Sequence, residues 1–137
     1  MGTTLVALVF LSGEGFRVHA GDSRLYRFRG GLLTQITRDH SLREETGDPS
    51  VPANIITNSL GAGEYCFGEV SPLADQVRLG DRFLLCSDGL HDYVNRDRIE
   101  LAFAAREGVA AALVKLAHAA GAPDNVSAVI LEITDAT

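Results

Sequence analysis

The sequence predicts an α+β domain. Three observations carry the prediction: short apolar runs separated by glycine-rich turns in the first half, two helical stripes between residues 95 and 120, and a last apolar run returning after them. At 137 residues there is chain enough for one domain with a real core, and 46% hydrophobic against 22% charged residues excludes disorder for most of it. Thr3–Leu11 is a continuous apolar run, the pattern of a strand covered on both faces. Ser12-Gly13-Glu14-Gly15 is a turn, and Phe16–Ala20 is the return strand. After the break at Gly21-Asp22-Ser23, Arg24–Arg29 alternates, with Leu25, Arg27 and Arg29 on one face and Tyr26 and Phe28 on the other. Gly30-Gly31 signals a hairpin into Leu32–Ile36, so the region reads as an antiparallel meander. Residues 38–59 form a polar loop with two prolines and at most one helical turn, long enough to be functional. Ile55–Leu60 is a short element, Val70–Gly80 is irregular, and Arg82–Cys86 is an apolar strand closed by Ser87-Asp88-Gly89. Asn95 or Asp97 caps a helix with an apolar stripe of Ile99, Leu101, Ala102 and Phe103. Gly108 separates it from the helix Val109–Ala120, and Val126–Ile133 is the final strand.

Several function classes are excluded early. A net charge of -6 argues against nucleic acid or an anionic membrane as partner. The longest apolar run, Leu5–Leu11, is too short to span a bilayer. Cys66 and Cys86 belong to no metal-binding cluster, and both read as small buried hydrophobes. A reducing cytoplasm is the expected compartment.

The chemistry-bearing residues are acids at strand ends. Asp88 follows one apolar strand and Asp124 precedes another. If those strands pair antiparallel, both carboxylates reach one sheet edge. Neighbouring carboxylates repel unless a cation or a shared proton intervenes. An oxygen-only set suits Mg²⁺ or Mn²⁺ rather than Zn²⁺. Asp92, four positions after Asp88, could join the same cation, and Asp39 opens the long polar loop. The plainer alternatives are ordinary turn residues, and for Asp39 a helix cap.

Six motifs in order then point to a family: Gly2-Thr3-Thr4, Ala20-Gly21-Asp22-Ser23-Arg24, the stretch from Leu33 to His40, Ser59-Leu60-Gly61, the stretch from Asp81 to Leu90 containing Ser87-Asp88-Gly89, and Asp124-Asn125-Val126-Ser127. Together they resemble the metal-dependent type 2C protein serine/threonine phosphatases, the PPM family, over nearly the whole chain. The resemblance implies a layered α-β-β-α sandwich of two antiparallel sheets flanked by helices, spanned in part by residues 1–137. It implies two Mg²⁺ or Mn²⁺ ions held by Asp88 and Asp124, which would be the catalytic acids, and a third, weaker metal held by Asp39 and Asp92 with Asp88. Water activated by the metals would hydrolyse phosphoserine or phosphothreonine on a protein substrate. Within region 38–59, the loop from Ser41 to Thr57 would be the flap beside the site.

The sequence also departs from the family. Upstream of Gly-Thr-Thr the family carries early strands, helices and an Asp-Gly motif whose aspartate bridges the metals, whereas Met1 here abuts Gly2-Thr3-Thr4. The chain therefore reads as the C-terminal portion of the domain, and impaired catalysis is the expectation for it alone. The alternative function is a truncated phosphatase-like module that acts through partner binding or self-association, as a homo-oligomer or with an N-terminal segment supplied in trans. His91 stands where the family usually has tryptophan, as a packing substitution or as a ligand or proton shuttle. Asp22 and Arg24 read as a scaffolding pair, and His19, His40 and His118 as structural.

Overall fold

The first four strands form two hairpins that lie in different sheets. The computed structural model describes residues 1–123 and 125–135. Strand β1 (Leu5–Leu11) pairs antiparallel with β2 (Glu14–Ala20), and β3 (Arg24–Arg29) with β4 (Leu32–Gln35). Between the hairpins, Gly21-Asp22-Ser23 carries the chain from one sheet to the other. The single meander expected from sequence is thus divided at its one non-hairpin break. Strand β5 (Glu69–Pro72) joins β2, while β6 (Arg82–Cys86) and β7 (Ala128–Glu132) extend the other sheet. The sheets are β1-β2-β5 and β4-β3-β6-β7, antiparallel throughout. The helices are α1 (Leu42–Thr46), α2 (Asp88–His91), α3 (Arg96–Ala102) and α4 (Val109–Ala119).

Alternation builds the core. Tyr26 and Phe28 of β3, Leu84 and Cys86 of β6, and Ala128 and Ile130 of β7 share one face of the four-stranded sheet. They meet Ile99, Phe103, Val109, Leu113 and Ala117 from α3, α4 and the turn between them in one buried cluster. Leu25 and Phe83 point to the opposite face and are fully buried, as are Ala20 and Leu73 on the side of the other sheet. Asn95 is the cap of α3, accepting a hydrogen bond from Arg98 N at 2.9 Å. Leu101, expected in the apolar stripe of that helix, is 73% exposed and lies off it. Strand β1 is not doubly covered: it is an edge strand, with Phe10 and Leu11 exposed. Cys86 is buried as expected, but Cys66 is exposed.

Register then brings the chemistry to one edge. Arg24 lies opposite Cys86, and Cys86 opposite Ala128. The segment entering β3, the segment leaving β6 and the segment entering β7 therefore emerge side by side. A cavity of about 780 Å³ opens at the other end among Phe10, Pro72, Leu79 and Leu131, away from these acids.

Candidate metal centre

Asp88 opens α2 at this edge, directly after β6. Gly89 is fixed by its neighbours: a Cβ there would run into the carbonyl of Asn125 and reach Val126 Cγ2. Ser87 N donates to Ser127 O at 3.1 Å, and Ser127 N donates to Ser87 Oγ at 3.0 Å. The stretch Asn125–Ser127 is thereby stitched to the turn that carries Asp88. Asp124 itself lies outside the described residues.

Asp22 is the acid that sequence reasoning missed. It is only 4% exposed, and its carboxyl is pushed up to about 6, first by burial and then by the charge of Asp88, with Asp39 and Asp92 adding to it and His91 opposing. Among the described residues no hydrogen bond reaches this carboxylate. The loop around it is held tightly. Gly21 has φ of 112° with the Thr4 side chain packed against its Cα, where a larger residue would collide. Thr4 Oγ1 and Ser23 Oγ share a hydrogen bond of 2.7 Å.

Asp39 comes to the same edge but is engaged elsewhere. Arg24 donates to both of its oxygens, Nε to Oδ1 at 2.8 Å and Nη2 to Oδ2 at 2.7 Å, and also reaches the Tyr26 hydroxyl at 3.0 Å. The scaffolding pair is therefore Arg24 with Asp39, not Arg24 with Asp22. The helix cap is Ser41, whose side chain accepts from Glu44 N at 3.3 Å, rather than Asp39. Asp92 follows α2 with its side chain 38% exposed, and its pKa is lowered, chiefly by His91 beside it.

Beneath the acids lies a second polar group. His19, His40 and Glu69 offer atoms within 4.8 Å of one another. Their hydrogen bonds argue against a metal. His40 Nδ1 accepts from Gly21 N at 3.0 Å, so Nε2 carries the proton facing Glu69 Oε2 at 3.1 Å. His19 Nε2 faces the carbonyl of Arg38 at 2.9 Å and must donate. Neither Nε2 has a free lone pair, while His19 Nδ1 is buried without a hydrogen bond among the described residues, and burial lowers the His19 pKa. The group is a pillar: His40 N also donates to Gly21 O at 2.9 Å, clamping the loop of Asp39 to the loop of Asp22. Both histidines hydrogen-bond the main chain of the neighbouring loops.

The donor chemistry of the edge fits a hard divalent cation. Asp22, Asp88 and Asp92 are oxygen donors whose charges act on one another, and the arginine alongside is committed to Asp39. Cys86 cannot stand in as a nucleophile, because burial pushes its thiol up to about 12.

Fold and sequence point to one group of relatives. These relatives are PPM-type serine/threonine phosphatases, and the chain matches the C-terminal portion of their domain. It is 39% identical over 144 residues to the serine/threonine protein phosphatase PstP of Mycobacterium tuberculosis, covering 98% of this chain and 28% of that protein. It is 31% identical over 145 residues to the serine/threonine phosphatase Stp of Listeria monocytogenes, covering 96% of this chain and 57% of the relative. Among solved structures, PppA of Pseudomonas aeruginosa superposes with a TM-score of 0.85 at 39% identity, covering 95% of this chain and 56% of the other. The PstP catalytic domain in complex with two manganese ions superposes at 0.81 with 38% identity, covering 98% and 60%. The chain thus spans less than two-thirds of the length of these relatives. No protein-family model matches it. Among the described residues no helix is long and apolar enough to cross a membrane.

Proposed function

We propose that this chain carries part of the active centre of a metal-dependent phosphatase acting on phosphoserine or phosphothreonine in proteins. The observation that carries the reading is the gathering of Asp22, Asp88 and Asp92 at one sheet edge, with the carboxyl of Asp22 held up by burial and by Asp88. Asp88 and Asp124 are proposed as ligands of a catalytic Mg²⁺ or Mn²⁺ pair. Asp22 and Asp92 are proposed for a third, weaker site. Asp39, expected with Asp92 and Asp88 at that site, is held by Arg24 at both oxygens and keeps lone pairs that a cation could use. When bound, the cations supply charge neutralisation for the phosphoryl oxygens and an acidified water. The chain's own part is positional. Residues Ser87–Gly89 present Asp88 at the edge, Arg24 and His40 fix the loops of Asp39 and Asp22, and residues 38–59 border the site as a flap.

The test is Mn²⁺-dependent phosphate release from a phosphothreonine peptide, with Asp88→Ala and Asp124→Ala as controls. Release that persists in EDTA, or in either variant, would remove these acids from the reaction. A second reading rests on the edge strands: β1 and β7 end their sheets with Phe10, Leu11 and Val129 exposed. In that reading the chain binds Mn²⁺ without turnover and works by associating with a partner or a second copy. Metal binding without hydrolysis, together with a dimeric mass in light scattering, would favour it.

A further inference from the structure

His91 touches the two acid-bearing segments at once. Its side chain is only 2% exposed. Nε2 lies 2.7 Å from the backbone carbonyl of Asp22, a residue 69 positions away in sequence. A carbonyl only accepts, so Nε2 carries a proton and donates. Nδ1 lies 3.2 Å from Oδ1 of Asp92, outside hydrogen-bond geometry and with no other partner among the described residues. A side chain that merely filled space here would be apolar, since a buried polar nitrogen without a good partner destabilises the fold. One polar atom of this ring is instead spent on the main chain at Asp22, and the other, buried and without a hydrogen bond, faces Asp92.

We propose that His91 is a positioning residue: it ties the main chain at Asp22 to the end of α2, which carries Asp88 and leads into Asp92, and so sets the spacing at which the carboxylates of Asp22 and Asp92 share a divalent ion. The inference rests on the metal-centre reading above and adds to it a residue that is not itself a ligand. The loop of Asp22 is then held from two sides, by His40 at Gly21 and by His91 at the Asp22 carbonyl. Asp92 sits at the end of α2, one turn beyond Asp88, so the same imidazole links α2 to the crossing between the sheets.

The experiment is Mn²⁺ titration by calorimetry on the full chain, comparing wild type with His91→Phe and His91→Gln, with thermal unfolding measured alongside. Phenylalanine keeps the bulk and removes both polar atoms. Glutamine can place an amide N–H near the position of Nε2. The expected result is Mn²⁺ binding about 10–100-fold weaker in His91→Phe and recovered to within about threefold of wild type in His91→Gln. Equal affinity in wild type and His91→Phe would overturn the proposal, as would a His91→Gln variant as weak as His91→Phe. Should His91→Phe not fold, the wild-type imidazole decides. Its NMR resonances should move on Mg²⁺ addition and saturate with the calorimetric isotherm, and resonances that stay still overturn the proposal. Wild type that binds no Mn²⁺ would sink the metal-centre reading itself, a result distinct from the others.

Discussion

Replacing Asp22 by asparagine should change the pH dependence of folding and the response to metal in opposite directions. The carboxyl has an ordinary value of 3.8 and is raised to about 6 in the fold, mainly by burial and then by Asp88. The unfolded chain therefore ionises first, and the folded chain binds more protons between about pH 4 and pH 6. Stability from this group is complete below its unfolded value and is lost as pH rises through about 6. The move from 3.8 to about 6 corresponds to about 3 kcal/mol in all, of which about 2 kcal/mol falls between about pH 4.5 and pH 7.5. The residue is 4% exposed, so water screens little of this. Asparagine has no charge to bury, so its curve should lack that drop. Urea unfolding in EDTA at several pH values would measure it as the difference between the two slopes, which cancels any constant effect of the amide. Adding Mn²⁺ at pH 7.5 should then stabilise wild type more than Asp22→Asn. Parallel curves for the two proteins, within about 0.5 kcal/mol across that range, would refute the placement of Asp22 among buried like charges.

Three further outcomes follow from named contacts. Gly89→Ala should lower stability by about 1–3 kcal/mol in urea unfolding, since its Cβ meets backbone at Asn125, and an unchanged midpoint would count against the close approach of these turns. Arg24→Met should destabilise by about 2–3 kcal/mol at neutral pH, and a double-mutant cycle with Asp39→Asn should return a coupling above about 1 kcal/mol. Additive losses would show that the pair is not coupled. Alkylation of the native protein followed by mass spectrometry should label exposed Cys66 and spare Cys86, whose thiol stays protonated and 2% exposed, and labelling of Cys86 would contradict its burial.

Legibility in the sequence followed the range of the interactions. The Gly30-Gly31 hairpin and the stripe of α4 were readable because both are local patterns of turn chemistry and period. Strand β5 was not readable: Glu69–Pro72 has a proline, its polar Glu69 and Ser71 are the half-buried positions while Val70 is exposed, and it is a strand because β2 pairs with it. The antiparallel pairing of β6 with β7, assumed as a condition, is present. The role of Asp22 was hidden because Arg24, two residues on, offered an obvious partner. The true partner, Asp39, lies 15 positions from Arg24 and becomes visible only once β3 and β4 are folded back. The signal that could have found it is an acid in a break between two hairpins, where the chain changes sheets. His91 posed the same difficulty, since its partner is a main-chain carbonyl 69 positions away and leaves no mark in residue types.

The three residues Gly21–Ser23 belong to no sheet, yet they are the covalent continuation of a strand in each. The chain has no slack there: Thr4 bonds Ser23, His40 grips Gly21 and His91 holds Asp22. Sliding of one layer over the other loads this tether first, because it is the shortest of the crossings between the sheets. Small shear anywhere in the sandwich would thus be converted into a change of charge spacing at the edge, making the acid at 22 a strain gauge for how well the two layers are seated.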